Sequence, residues 1–346
     1  MVDESNGWAA DLDGKLYRTV DGGASWNLLP TPADVQINPY GSAFLDAQNA
    51  WLSYYDENSA PALLRTSDGG MTWTSLTDIG LAGIGGMPGF RFSSPSEGLA
   101  RVDGVGAGNL YIQMYETHDG GASYSLIPLT GPQPEQGLPP GTIHLCNICG
   151  DSFYYAPQRM IVVQGDMGTM EQRGKAYLLT SQDMGQSWAQ MILPLPDGYE
   201  DALVEALQPV FVSAQDGFLP LKLTRLEADG SLTALGLAVY RTNDGGATWS
   251  TSAAQLPPVT NNQTLHFFDA DEALALCEAD LCVSHDGAQS WERVTPDIDI
   301  SSTESRAVFQ VNFVDPLTGW IVIGEPEKVL LYKTGDGGAH WTLLNP

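Results

Sequence analysis

Short apolar runs in this chain alternate with polar, glycine-rich turns, and the same order of runs returns seven times. The clearest run is rich in leucine, tyrosine and valine and ends on a hydroxyl residue, as in Lys15-Leu-Tyr-Arg-Thr19, Ala62-Leu-Leu-Arg-Thr66, Ala238-Val-Tyr-Arg-Thr242 and Val329-Leu-Leu-Tyr-Lys-Thr334. Runs of this length and composition, bounded by turn formers, predict strands. Two more runs joined by a short turn come before it, clearest in Val311-Asn-Phe-Val-Asp-Pro-Leu-Thr-Gly-Trp320-Ile-Val-Ile323 and in Leu265-His-Phe-Phe-Asp-Ala-Asp-Glu-Ala-Leu-Ala-Leu276. A fourth follows it, as in Trp26-Asn-Leu-Leu29, Trp188-Ala-Gln-Met-Ile-Leu193 and Trp341-Thr-Leu-Leu344. Four antiparallel strands per repeat make one propeller blade. The expected fold is therefore all-β, a single seven-bladed β-propeller with blades near 1–30, 31–80, 81–130, 151–196, 207–256, 262–296 and 306–346 and an insertion at 131–150. Only the segment 199–208 reads as a helix. The chain opens on Gly7-Trp-Ala-Ala10, the second strand of a blade, so the first blade is expected to lack its innermost strand.

Between the third and fourth run of each repeat stands an eight-residue box: a hydroxyl residue, any residue, aspartate, a tight segment, a further polar residue and an aromatic. The copies run from Thr19 to Trp26, Thr66 to Trp73, Thr117 to Tyr124, Ser181 to Trp188, Thr242 to Trp249, Ser284 to Trp291 and Thr334 to Trp341. Their mean spacing of about 52 residues is a period of propellers, solenoids or arrays. Asp21, Asp68, Asp119, Asp183, Asp244, Asp286 and Asp336 are expected to accept backbone N–H bonds across the turn, as Asx-turns do, and glycine supplies positive φ there. The fifth position is glycine except in the sixth copy, where it is Ala288; Gly287 sits one place earlier, and the turn is expected to re-form around it. The aromatic is best buried between neighbouring units. These residues read as scaffold.

The box resembles the Asp-box, or BNR, repeat of sialidases, sortilin-type receptors and related propellers. The fuller pattern, phenylalanine, acidic turn, Gly-Trp and then the box, is most similar to the photosystem II assembly-factor-like, Ycf48-type repeats. The resemblance covers nearly the whole chain and implies the propeller fold. It implies little about function, because the same turn occurs in hydrolases, receptors and assembly factors. A Ycf48-type relative would be an assembly factor using a basic patch on the propeller, and this acidic chain departs from that.

Net charge is −27 with 15 Lys and Arg and a pI near 4.2, which argues against nucleic acid or an anionic lipid surface as partner. No run of 18 apolar residues exists, so no helical membrane span is expected. The loops joining second to third strands carry carboxylates in every blade: Asp11 with Asp13, Asp56 with Glu57, Asp103, Asp166 with Glu171, Glu227 with Asp229, Glu278 with Asp280, and Glu325 with Glu327. They lie opposite the boxes, on the face where propellers usually bind ligands. This is the candidate surface for a basic protein segment or a cation, with Ca²⁺ the one cofactor considered. The competing reading is turn chemistry, since Asp13-Gly14, Asp103-Gly104 and Asp229-Gly230 are ordinary hairpin turns.

The four cysteines form two close pairs. Cys277 and Cys282 face each other across a hairpin and suit a disulfide; Cys146 and Cys149 lie in a proline-rich loop and are expected to pair likewise. Disulfides imply an oxidising compartment, hence an exported, monomeric protein whose leader has been removed. A sialidase needs three arginines to hold its substrate carboxylate. Arg18, Arg65 and Arg241 precede box threonines on the wrong face, and Arg91, Arg101, Arg159 and Arg306 are the only inward candidates, without a supporting motif. No metal-binding histidine spacing appears. The expected function is a non-catalytic binding or assembly module; the alternative is an Asp-box glycoside hydrolase with a carbohydrate ligand.

Overall fold

The computed structural model describes residues 1–11, 14–32, 35–81, 88–106, 109–129, 142–146, 152–156, 159–164, 175–183, 185–251, 265–302 and 306–344. All regular structure among them is β-strand, in seven antiparallel sheets that are the blades of a seven-bladed β-propeller. The chain divides into two compact units, Met1–Leu145 with Met184–Gln186 and Cys146–Asp183 with Ser187–Pro346. The first unit holds blades one to three. Blade one has three strands, Gly7–Ala10, Leu16–Thr19 and Asn27–Leu28. Blade two has Asn38–Phe44, Ala50–Tyr55, Pro61–Thr66 and Thr74–Leu76. Blade three has Gly89–Phe92, Gly98–Gly106, Asn109–Thr117 and Ser125–Leu126, with Thr142–Cys146 added beside the third of these.

In the second unit, blade four consists of Ser152–Ala156, Arg159–Gln164, Lys175–Ser181 and Ala189–Pro194. Blade five consists of Leu203–Ala206, Val210–Phe211, Gly217–Leu226, Leu232–Thr242 and Ser250–Thr251. Blade six has Leu265–Phe267, Ala273–Cys277, Asp280–Ser284 and Glu292–Val294; blade seven has Ala307–Phe313, Gly319–Glu325, Lys328–Thr334 and Thr342–Leu343.

Two readings of secondary structure are corrected. The segment expected to be helical opens blade five as a strand, Leu203 pairing with Thr224 and Ala206 with Leu221. Leu203, Val204 and Ala206 are all buried, so both faces of the segment are covered, as in a strand stacked between sheets and unlike a surface helix with one apolar stripe. The Asp103-Gly104 pair is likewise not a turn. Asp103 pairs with Ile112 inside a hairpin whose ladder continues to Gly106 and Asn109.

Within each unit the core lies in layers between consecutive blades. In the first unit, Leu16 and Leu29 of blade one meet Leu52, Ala62 and Leu64 of blade two. In the second, Ile161, Val163 and Leu178 meet Leu219, Leu221 and Tyr240, and Leu274, Leu276 and Leu281 meet Val311, Ile321 and Ile323. In blades three and seven a phenylalanine of the first strand pairs directly with the glycine that starts the second and leaves little room there. A Cβ on Gly319 would stand 2.5 Å from the Phe313 ring and one on Gly98 2.7 Å from Phe92, which accounts for the phenylalanine six residues before the Gly-Trp or Gly-Leu step.

The box turn is organised by its first residue. Thr19, Thr66, Thr117, Ser181, Thr242, Ser284 and Thr334 are all buried, at 0 to 2% exposure. In the fifth copy the Thr242 hydroxyl donates to Asp244 Oδ1 at 2.8 Å and accepts the amides of Asp244 and Gly246 at 3.4 and 2.8 Å. Asp244 then accepts the Thr248 amide at 2.9 Å and its hydroxyl at 2.6 Å. The same hydroxyl–aspartate bond recurs in all seven copies, at 2.8 to 3.0 Å. The box aromatics close the turn from above: Tyr124 and Trp341 are buried and the other five half-buried.

The sixth copy does not re-form around Gly287. Ala288 keeps the glycine geometry, with φ of 65° and its amide donating 2.9 Å to Ser284 Oγ. A left-handed backbone costs a non-glycine residue roughly 1–2 kcal/mol. Ala288→Gly is therefore expected to stabilise the protein, by about 0.5–1 kcal/mol once the extra freedom of glycine in the unfolded chain is counted, measured by denaturant unfolding. Thr242→Val, which leaves the buried Gly246 amide without an acceptor, is expected to destabilise by about 1–3 kcal/mol in the same assay.

Candidate functional site

Antiparallel hairpins joining second to third strands carry the candidate acids, and most of these are tied into their own turns. Asp11 accepts the Lys15 amide at 2.9 Å and the Tyr17 hydroxyl at 3.0 Å. Asp56 Oδ1 accepts the amides of Asn58 and Ala60, both at 2.9 Å, while Glu57 beside it is exposed. Glu227 receives Arg225 Nε at 2.9 Å, and this bond, followed by one from Thr233, lowers its pKa. Glu325 faces Lys328 at 3.6 Å. Asp103 lies within its strand and pairs with Arg101 at 2.7 Å instead of standing at a hairpin tip. Asp166 and Glu171 lie outside the described residues, as does Asp13.

Glu278 differs from the others. It sits at the tip of a two-residue connection between Cys277 and Asp280 with φ of 61°, and its side chain is 66% exposed, with Arg293 at 3.7 Å. Arg293 is shared with Asp280 at 2.9 Å, a bond that lowers the Asp280 pKa. Directly beneath the tip, Cys277 and Cys282 form a disulfide with a Cα separation of 5.9 Å. The side chain of Cys146 and all of Cys149 lie outside the described part of the structure, so their pairing is not addressed. Among the described residues no group of three or more His, Cys, Asp or Glu side chains is disposed to hold a metal ion, and no helix is long and apolar enough to cross a membrane.

The arginines considered for an inward carboxylate clamp have other partners. Arg159 donates 2.8 Å to the Ala214 carbonyl of blade five and stacks on Phe211 at 4.1 Å. Arg306 pairs with Asp299 at 3.2 Å. The arginines before the box threonines reach forward to the next blade: Arg18 donates to the Gly69 carbonyl at 3.0 Å and Arg65 to that of Pro95 at 2.9 Å. Tryptophan indoles do the same, Trp51 Nε1 reaching the Gly120 carbonyl at 2.8 Å. The hydroxyl hub and this forward clamp are the features the sequence reading missed. Their signal was present, since the first box position is never anything but Thr or Ser.

Electrostatics on the turn face are set by the same hydrogen bonds. The carboxyls of Asp21, Asp68, Asp119 and Asp244 are held down to about 2, foremost by the hydroxyl and amide of Ser25, Thr72, Ser123 and Thr248. In the seventh copy His340 replaces that hydroxyl. Its amide and ring hold Asp336 down to about 2, and Asp336 in turn raises His340, whose Nδ1 lies 2.7 Å from Oδ2. Glu97 raises His118 across 2.6 Å.

No protein-family model matches this chain, and no curated protein matches it. Solved structures do. A structure of YCF48 bound to D1 peptide is 17% identical, over 96% of this chain and 91% of that one, with a TM-score of 0.57. YCF48 from Cyanidioschyzon merolae is 17% identical, over 96% and 92%, with a TM-score of 0.50. The GH93 α-L-arabinofuranosidase of Fusarium graminearum in complex with arabinobiose is 11% identical, over 91% and 96%, with a TM-score of 0.45. The likeness to the YCF48 structures establishes a shared fold.

The pH dependence of stability follows from these shifts. Depressed aspartates contribute above their unfolded pKa of 3.8, and that contribution is lost as pH falls towards about 2. The raised His340 contributes fully below 6.5 and loses its contribution as pH rises through its elevated folded value. Comparing His340→Ala with the parent by thermal melting should give the larger deficit between about pH 4.5 and 6, and a smaller one at about pH 8.5.

Proposed function

We propose that this protein is a non-catalytic binding module that engages a basic segment of a partner protein through the exposed carboxylates of its second-to-third-strand hairpins. The observation that carries the reading is the exposure of carboxylates at the hairpins, with Glu57 exposed and the Glu278 side chain 66% exposed at its tip. Every aspartate or glutamate with a displaced pKa among the described residues is displaced downwards, by amides, hydroxyls or arginines. A glycosidase acid is instead held protonated near neutrality by an apolar setting or a second carboxylate. Carboxylates displayed on hairpins suit recognition of cationic groups, and a chain of net charge −27 draws a basic partner by long-range attraction. Glu278 supports the same reading, because a glutamate at positive φ is a strained choice at a tip where glycine or asparagine costs less.

YCF48, which shares this fold, binds a D1 peptide, so a propeller of this form serves as a peptide-binding scaffold in at least one protein. Specificity here would differ, because the hairpins of this chain present acids. Export is part of the proposal and rests on the Cys277–Cys282 disulfide. Ca²⁺ competes as a weaker ligand of the same carboxylates.

The test is titration with an oligolysine peptide and, separately, with CaCl₂, beside a panel of glycosidase substrates. Peptide binding should weaken steeply as salt rises beyond about 0.15 M, where exposed charges are screened past about 8 Å. It should be lost in the triple variant Glu57→Lys, Glu278→Lys, Glu325→Lys. Salt-insensitive binding unaffected by these changes would overturn the proposal, and glycoside hydrolysis abolished by a single carboxylate change would replace it with the hydrolase reading.

A further inference from the structure

On the turn-bearing side of the second unit, blades five and six border an open pocket of about 360 Å³, lined by Arg241, Asn243, Trp249, Ser250 and Gln289 among others. It is at the small end of the range for small-molecule sites, which combine an apolar or aromatic wall with a few converging polar groups. Arg241 is what sets it apart. Arg18, Arg65 and Arg159 each donate to a backbone carbonyl of the following blade. Arg241 holds the same place as Arg18 and Arg65, one residue before the box hydroxyl, but its guanidinium donates no hydrogen bond among the described residues. The nearest carboxylate is Asp271, at 3.9 Å and itself 68% exposed.

The rest of the lining offers complementary groups. Ser250 pairs with Arg241 across the two outer strands, which places both on the same face. The Trp249 ring is fixed by its indole N–H, which donates 3.1 Å to the Gly246 carbonyl, and by an edge contact with Phe211 at 6.0 Å. Gln289 donates its backbone N–H to Asp286 Oδ1 at 2.9 Å and its Nε2 to the Asp286 carbonyl at 2.8 Å, leaving its Oε1 as an acceptor. Asn243 is exposed and supplies both a donor and an acceptor.

We propose that this pocket binds an acidic sugar, a hexuronate residue. The carboxylate pairs with the Arg241 guanidinium, whose fork suits it bidentately. The ring hydroxyls meet Asn243, Ser250 and Gln289, and the ring's C–H face lies on the electron-rich face of Trp249. An unadorned carboxylate would leave the amides and the aromatic wall unused, and a neutral sugar would leave the guanidinium unpaired. Asp271 is the built-in competitor. The site shares no residue with the acidic hairpins, so it stands or falls independently of the peptide-binding reading.

The experiment is titration of the full chain with methyl β-glucuronide, methyl β-glucoside, acetate and a short peptide with a free C-terminus, followed by the indole N–H signals. The glucuronide should bind with a Kd of about 1 mM, and the glucoside and acetate at least about tenfold more weakly. Arg241→Gln should abolish the preference for the glucuronide. Asp271→Asn should tighten glucuronide binding several-fold, and Glu278→Lys should leave it unchanged. No glucuronide binding, equal binding of the glucoside, or tighter binding of the peptide would each overturn the assignment. Should Arg241→Gln fail to fold, the exposed Asp271→Asn decides, since unchanged or weakened binding there overturns it equally.

Discussion

A hydroxyl group with three obligations recurs in every blade. It is buried, donates to an aspartate, and accepts the amide of that aspartate, together with a second amide two residues further on, as from Gly23, Gly70, Gly121, Gly246, Ala288 and Gly338. Backbone amides in so tight a turn cannot reach each other, and leaving one unpaired in the interior costs as much as losing a hydrogen bond. The threonine or serine resolves this, with the aspartate spanning the outer half of the turn. With the turn fixed, the third strand ends and the fourth begins at a set angle, and the aromatic that follows is delivered onto the preceding apolar layer. The regularity of the blades depends on this one group.

Tolerance of substitution within the turn follows the same logic. The outer position, which only caps an aspartate oxygen, is Ser25, Thr72, Ser123, Ser187, Thr248 or Ser290, and also His340. Side-chain donors as different as a hydroxyl and an imidazole serve there. At the inner position geometry is stricter, and Ala288 is held in the glycine conformation because its amide still has to reach the Ser284 hydroxyl. Local strain is accepted where the alternative is an unpaired buried donor.

Much of this was legible in the sequence because both signals are short-range. The strand runs and the box repeat within windows of about ten residues, so the all-β, seven-bladed fold could be read directly. What misled was also local. The alanines and leucines around Val204 fit a helix as well as a doubly buried strand, and a segment's own residues do not say how many of its faces will be covered. Asp103-Gly104 has the composition of a turn, yet the ladder continues to Gly106. The open guanidinium of Arg241 was illegible for a different reason: Arg18 has the same neighbours in sequence, Tyr17 and Thr19, and a segment's own residues do not say whether its guanidinium will find an acceptor in the next blade.

That forward reach gives the chain a direction. Within each unit several arginine and indole donors of one blade reach carbonyls of the blade that follows it, as in Arg18 to Gly69, Trp51 to Gly120 and Arg159 to Ala214. During synthesis from the N-terminus, each newly emerged blade therefore carries donors whose acceptors have not yet been made. The most recent blade is the least complete, and each addition locks the one before it, so growth resembles a ratchet in which translation order and bonding order coincide. A circular permutation that cut between an arginine and its downstream carbonyl would reverse that order for one junction while leaving every contact of the finished molecule intact.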